Sequence, residues 1–402
     1  MKNHKMNRQI AYALAFTFLV SSSALRSQSD SNASDEILLQ VRPRSEWRDG
    51  YQRLRQTGEA GALLSMQRTR VTWRHHAEKW EVRLGFQDVR TFGDLTGYAG
   101  YGAMAATESW VSWKPNYLTR ITAGRQQIAF DNERIVGAVN WSQPGRFHDG
   151  IRWDQRTKLG NTTAALAWDA PGGLTRIMAH HVYTTELHRV SLVYFNQLNS
   201  QQPDESVATS GFTWTGERRD SPFSWVLEGY MQAQEAELPT SYMGVLELHA
   251  KSDQIGKALI ALDWLEGDAR GRAFVPFLGT NHRHYGWMDQ FYVGIPANGM
   301  TDARVHWSKP FKRTEWNARW DVRYHRFYSA EFDAHYADEI DAVLVFKPKK
   351  WVKASFGWSV MRGTEAMYES QNRMSTGNGL QNWGWVELDF SPTVALNQIR
   401  MQ

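Results

Sequence analysis

From Ile37 onwards the chain alternates between apolar and polar residues, in segments about 10 residues long. In Ile37 to Arg48 one parity carries Ile37, Leu39, Val41 and Trp47, while the other carries Gln40, Arg42, Arg44, Glu46 and Arg48. A period of two belongs to a strand, whose successive side chains point to opposite faces. The pattern returns at Thr69, Val71 and Trp73 against Arg68, Arg70, Thr72 and Arg74. It returns again at Trp80, Val82, Leu84 and Phe86 against Glu81, Arg83 and Gln87. It is cleanest from Glu315 to Phe327, where Trp316, Ala318, Trp320, Val322 and Tyr324 alternate with Glu315, Asn317, Arg319, Asp321, Arg323 and His325.

Such segments are expected at 36–48, 62–75, 79–89, 106–114, 117–130, 147–155, 161–169, 175–184, 187–196, 207–215, 222–232, 241–250, 256–266, 302–308, 314–327, 336–347, 351–361 and 381–391, about 18 in all. Short connections (76–78, 115–116, 156–160, 185–186, 251–255, 309–313, 348–350) interleave with long ones (90–105, 131–146, 267–301, 362–380). Short turns on one side, long loops on the other and an even strand count predict an all-β fold: a transmembrane antiparallel up-and-down β-barrel with both ends periplasmic. The last segment places Val386, Leu388 and Phe390 on one face and Trp383, Trp385, Glu387 and Asp389 on the other.

Composition sharpens this picture. The 19 Trp, 15 Tyr and 18 Phe suit aromatic girdles at two membrane interfaces. A secreted, aromatic-rich carbohydrate-binding β-protein is the soluble alternative, but so many charged inner faces leave it no core to bury. At the start, Lys2, Lys5 and Arg8, the apolar run Ile10 to Val20 and the small residues Ser21 to Ala24 read as a signal peptide, 1–27, cleaved after Ala24 or Ser27. A short periplasmic lead-in (28–35), a single barrel domain (36–391) and a C-terminal tail (392–402) follow. Removing the leader's Lys2, Lys5, Arg8 and Arg26 brings the 46 basic residues level with the 42 acidic ones, which argues against a nucleic-acid binder. With no cysteine, disulfides, thiol catalysis and cysteine-ligated zinc are excluded.

If the apolar face meets lipid, the charged face lines the lumen. Arg42, Arg44, Arg48, Arg68, Arg70, Arg74, Arg83, Arg319 and Arg323 are therefore expected to point inward, with the first three strands forming a basic wall. Most basic residues are arginine, whose planar fork holds carboxylates in a two-pronged geometry. Two roles compete. The arginines either pair with lumenal Glu46, Glu81, Glu108, Asp263, Asp321, Glu339 and Asp341 in ladders that stiffen the wall, or form a path that hands an anionic polymer from one cation to the next.

Gly124 to Asp154 reads GRQQIAFDNERIVGAVNWSQPGRFHDGIRWD. The order GRQ, an aromatic, ER, WSQPGRF and D-x-x-R resembles the alginate-export family of outer-membrane β-barrels. That resemblance implies a strongly positive lumen conducting a polyuronate, with Arg125, Arg146, Asp149 and Arg152 as pore residues. Strict alternation from Ile121 puts Arg125 on the lipid side, so the resemblance requires a bulge near Gly124. The expected partners are an anionic polysaccharide or acidic oligosaccharide, outer-membrane lipid, and periplasmic export or uptake components.

The long connection 267–301 is expected to be an external loop that packs inward, with Asn281, His282, Arg283, His284, Trp287 and Asp289 placed for contact with sugar. The spacing of His282, His284 and Asp289 matches no ligand pattern, so no metal is expected. Nor is a cofactor. His180, His181 and His188 stand in ordinary strand contexts without a nucleophile elbow, which argues against a hydrolase. The sequence thus predicts a passive, arginine-lined outer-membrane channel without enzymatic activity, a less selective general porin being the alternative on the same fold.

Overall fold

The computed structural model describes residues 33–93, 104–234, 240–267, 273–292, 294–311, 316–375 and 379–396. The expected signal peptide, most of the expected lead-in, Glu315 and the end of the expected tail lie outside the described residues.

The strands run β1 (Ser34–Asp49), β2 (Ala62–His76), β3 (Trp80–Thr91), β4 (Ala105–Asn116), β5 (Thr119–Gln126), β6 (His148–Thr157), β7 (Gly160–Asp169), β8 (Leu174–Thr184) and β9 (His188–Asn199). The second half continues with β10 (Val207–Glu217), β11 (Phe223–Gln234), β12 (Ser241–Ser252), β13 (Gly256–Leu265), β14 (Met300–Pro310), β15 (Arg319–Tyr328), β16 (His335–Lys349), β17 (Val352–Gly363) and β18 (Leu380–Phe390). Each pairs antiparallel with its sequence neighbours, and β18 returns to β1 through Arg44↔Glu387 and Asp49↔Asn382. The sheet closes on itself. Pro43, with no N–H to give, sits where the β1–β18 ladder skips from Val41 to Arg44.

Alternation fails at two boundaries. β5 leaves the wall at Gln126, short of the expected Phe130, because Ile128 and Phe130 bury themselves inside the barrel instead of facing lipid. β15 begins at Arg319, because Asn317 takes a left-handed φ of 43° that turns the chain, leaving Trp316 on the turn. At the C-terminus the chain breaks at Ser391-Pro392, and β19 (Thr393–Ala395) then rejoins the sheet against Glu36–Leu38 of β1. Part of the expected tail is therefore wall.

The exposed apolar residues include Val71, Leu84, Val111, Ile151, Leu166, Leu192, Leu246, Ile260, Val305, Ile340, Phe356 and Val386, spread around the circumference. A continuous apolar belt of this extent is a lipid-facing surface. Exposed Trp80, Trp113, Trp153, Trp214, Trp307 and Trp351 ring the short-turn end as an aromatic girdle.

Candidate functional site: a lumen narrowed by two inserted loops

Inner-face residues divide by charge around the wall. Inward arginines of β1 to β3, β5, β6, β8 and β9 are set against the carboxylates of β11 to β16, among them Glu228, Glu247, Asp263, Asp302, Asp321, Glu339 and Asp341. Two loops enter between these halves, and each binds the wall with the opposite kind of group.

The first loop, 127–147, crosses from the basic to the acidic side. Arg42 donates to the carbonyls of Asn140, Trp141 and Ser142 and to Gln143 Oε1, and Arg44 donates to the Trp141 carbonyl at 2.9 Å. Arg68 donates to the Gln143 carbonyl at 3.2 Å. All three arginines are buried under the loop. At the other end Arg134 enters a carboxylate cage, 2.5 Å from Asp263, 3.1 Å from Glu247 and 3.2 Å from Glu228. Burial works against the Arg134 charge, but these carboxylates outweigh it and hold its pKa well above the usual arginine value. Asp131 ties the loop to the wall a third time, through His180 at 3.0 Å and Arg189 at 2.5 Å. Val139 sits at φ 50°, a sparsely populated conformation for a β-branched residue, in the stretch that the arginines hold.

The second loop, described at 273–292, offers backbone N–H groups to the acidic wall. Met288 donates to Glu339 at 2.8 Å and Trp287 to Asp341 at 3.3 Å. Gly286, at φ 78°, must be glycine, since a Cβ would lie 2.5 Å from the Glu339 carboxylate. His284 donates to the Asn132 carbonyl at 3.1 Å, joining the two loops. Burial, followed by Arg134 and Arg304, keeps the His284 pKa well below its ordinary value, so the ring is neutral. His282 bonds Asp289 at 2.7 Å, stacks on Trp141 at 4.5 Å, and adjoins a buried Trp383–Trp385 stack.

These contacts correct several sequence expectations. Asn281, His282, His284, Trp287 and Asp289 are buried in the packing that seats the loop, so they are not available to sugar; Arg283 alone of that set is exposed. Arg146 is a stitch between loops, donating to the carbonyls of Gly137, Leu278 and Gly279, and not a pore-wall residue. No bulge occurs at Gly124: the β4–β5 and β5–β6 registers run through it unbroken, and the nearby shift falls in β3–β4 between Leu84 and Phe86. Arg125 and Asp149 therefore share the outward parity of Ile151 and form a two-pronged pair on the outer face, at 2.7 and 2.5 Å. Glycine is still required at 124, where φ is 122° and a Cβ would lie 2.4 Å from the Ser109 carbonyl.

The remaining inward arginines are more open. Arg48 pairs with Glu46 at 2.8 Å, and Arg70 donates to Gln87 at 2.7 Å. Arg74 pairs with Glu81 and Arg83 with Glu108, both at 3.0 Å. Arg152 pairs with Asp154 at 2.8 Å. Arg319 stands exposed at the short-turn end, while Arg323 donates to the Arg283 carbonyl and lies 4.8 Å over the Trp287 ring. Sequence reasoning missed Arg120, Arg176, Arg189 and Arg304, although each has the inward parity opposite Ile121, Ile177, Val190 and Val305. The same count of alternate positions finds all four. Arg134 has no such signal, because its role depends on where its loop lands.

No protein-family model and no curated protein matches the sequence. Solved structures do. OccAB2 of Acinetobacter baumannii superimposes with a TM-score of 0.68 at 11% identity, over 92% of this chain and 100% of that one. OccK11 (OpdR) of Pseudomonas aeruginosa gives 0.64 at 9% identity, over 90% and 96%. A BenF-like porin from Pseudomonas fluorescens Pf-5 gives 0.64 at 9% identity, over 90% and 99%. The fold is that of an outer-membrane β-barrel.

Proposed function

We propose that the chain is a passive outer-membrane channel for acidic oligosaccharide or anionic polysaccharide. The observation that carries this reading is the strip of inward arginines on β2, β3, β5 and β6: Arg70, Arg74, Arg83, Arg120 and Arg152 succeed one another on the wall beside the inserted loops. Glu81, Glu108 and Asp154 are staggered among them, so a carboxylate can exchange one guanidinium for the next without facing a deep trap. Loops docked into the lumen narrow the path and force a passing chain against this strip. The resemblance of the 124–154 stretch to alginate exporters supports a uronate as the sugar. The barrel needs no energy source for such passage, because the solute follows its gradient.

Planar-bilayer conductance of the refolded barrel tests the proposal. Anion preference in a KCl gradient and block by added oligouronate are expected. Cation preference overturns it, and equal passage of neutral sugars and uronates identifies a less selective porin instead.

A further inference from the structure

At the short-turn end, a cavity of about 610 Å³ opens between the β4–β5 and β6–β7 turns. Lys114, Arg120, Arg152 and Arg156 line it, against only Asp154 and the solvent-exposed Glu78. The acids are largely committed. Asp154 accepts both Arg152 Nε and Nη2 and the Thr163 hydroxyl. Glu81, the nearest acid to Arg120 at 3.8 Å, is already held by Arg74 at 3.0 Å. Among the described residues, no carboxylate lies within ion-pair distance of Lys114 or Arg156. The local balance is cationic, although the mature chain as a whole is near neutral.

Geometry adds an apolar platform. The β4–β5 register breaks between Trp113 and Asn116, and the Asn116 Oδ1 accepts the N–H groups of Leu118 and Thr119 at 2.9 Å each. This tight turn projects Tyr117 to 89% exposure, and the residue is among those that line the cavity. Like-charged groups gathered on three adjacent strands destabilise one another unless an anion joins them. An aromatic ring beside such a cluster suits a sugar face with a carboxylate on it.

We propose that this cavity is a binding site for a uronate sugar at the periplasmic mouth, with its carboxylate on Lys114 and Arg156 and its ring against Tyr117. The site rests on the channel reading above and adds a sidedness that reading lacks: solute is concentrated at the turn end before it meets the narrowed lumen.

The test is single-channel block by trigalacturonate applied to one side at a time, with maltotriose as the neutral control. Lys158→Cys, in the β6–β7 turn, gives a unique thiol in a cysteine-free chain, and a membrane-impermeant thiol reagent then reports each channel's orientation. Blocking events are expected several-fold, up to about tenfold, more often from the turn side than from the loop side at low salt, as electrostatic focusing predicts. Lys114→Gln combined with Arg156→Gln should abolish that excess, and Tyr117→Ala should shorten each event. Arg219→Gln, at a turn outside the cavity, should preserve it. Equal rates from both sides, survival of the excess in the double variant, or equal block by maltotriose overturns the site. So does absence of block from either side, whereas the channel reading falls separately, on a cation-selective reversal potential. Heat-modifiable gel mobility verifies that each variant is a folded barrel.

Discussion

Arg134 Nη1 lies 2.5 Å from Asp263 Oδ2, across 129 residues of sequence, and this contact fixes the first loop to the far wall of the lumen. Arg304 reaches the same carboxylate at 3.3 Å and Glu247 at 2.9 Å, so two cations share one acidic patch.

Replacing Arg134 by Gln leaves Glu228, Glu247 and Asp263 with one cation fewer in a buried setting. Loss of one partner of a buried pair costs about 3–5 kcal/mol. The expected outcome is a barrel that still resists heat but holds its 127–147 loop loosely. Single-channel conductance should rise and become noisy, and trypsin should cut within the loop. An unchanged conductance trace would show that the loop is seated without the cage.

Lipid and lumen faces should respond oppositely on β15. Val322 pairs with Trp307 of the aromatic girdle on the outer face, so Val322→Arg puts a charge against lipid near the interface at a cost of up to about 1 kcal/mol, and the yield of inserted barrel should fall. Arg319→Ala, on the inner parity of the same strand, should leave the barrel intact and lower its anion selectivity, measured as reversal potential.

Arg125→Ala and Asp149→Ala separate the structure from the family resemblance. Their pair is partly exposed on the outer face, where such a contact contributes about 0.2–1 kcal/mol at most. Neither change should alter ion selectivity or uronate block. A marked loss of selectivity in Arg125→Ala would place the guanidinium in the pore after all.

The seating of the loops should depend on pH through His284. Its pKa in the folded barrel lies below the unfolded value near 6.5, so the neutral ring contributes stability that is complete above that pH. The contribution falls as pH drops below 6.5 towards the lowered pKa, by up to about 1.4 kcal/mol per pH unit. Open-channel noise should therefore grow between pH 7.5 and 5. His284→Gln, which can still donate to the Asn132 carbonyl but does not titrate, should remove that growth.

The wall was legible in the sequence because lipid imposes parity on every strand. Val322 beside Arg323 and Val71 beside Arg70 state their faces outright, and the strands at 207–217 and 300–310 obey the same rule. Parity also placed Arg125 correctly on the outside, and only the bulge added to satisfy the resemblance moved it inward. The loops were not legible. Whether Arg42 meets a solute or the Trp141 carbonyl depends on where a distant segment comes to rest, and alternation carries no information about that. His282 and Trp287 drew notice as polar and aromatic groups on a long connection, but the same traits serve to anchor it against Trp141 and Trp385.

The seam between first and last strands has a consequence for how the molecule is made. Among the described residues, Glu36 to Leu38 find their sheet partners on that side in Thr393 to Ala395, so until that segment arrives, β1 keeps a bare edge with unanswered N–H and C=O groups. At the periplasmic rim, where water can answer those groups, such an edge is still a template for pairing with another chain. A chain shortened at Ser391 retains this defect at its periplasmic rim, while the longer β1–β18 ladder above it can still zip. Thr393 to Ala395 thus act as a latch on the rim and not on the barrel's closure, and a chain lacking them should be recognised by its open rim rather than by any loss of its lumen.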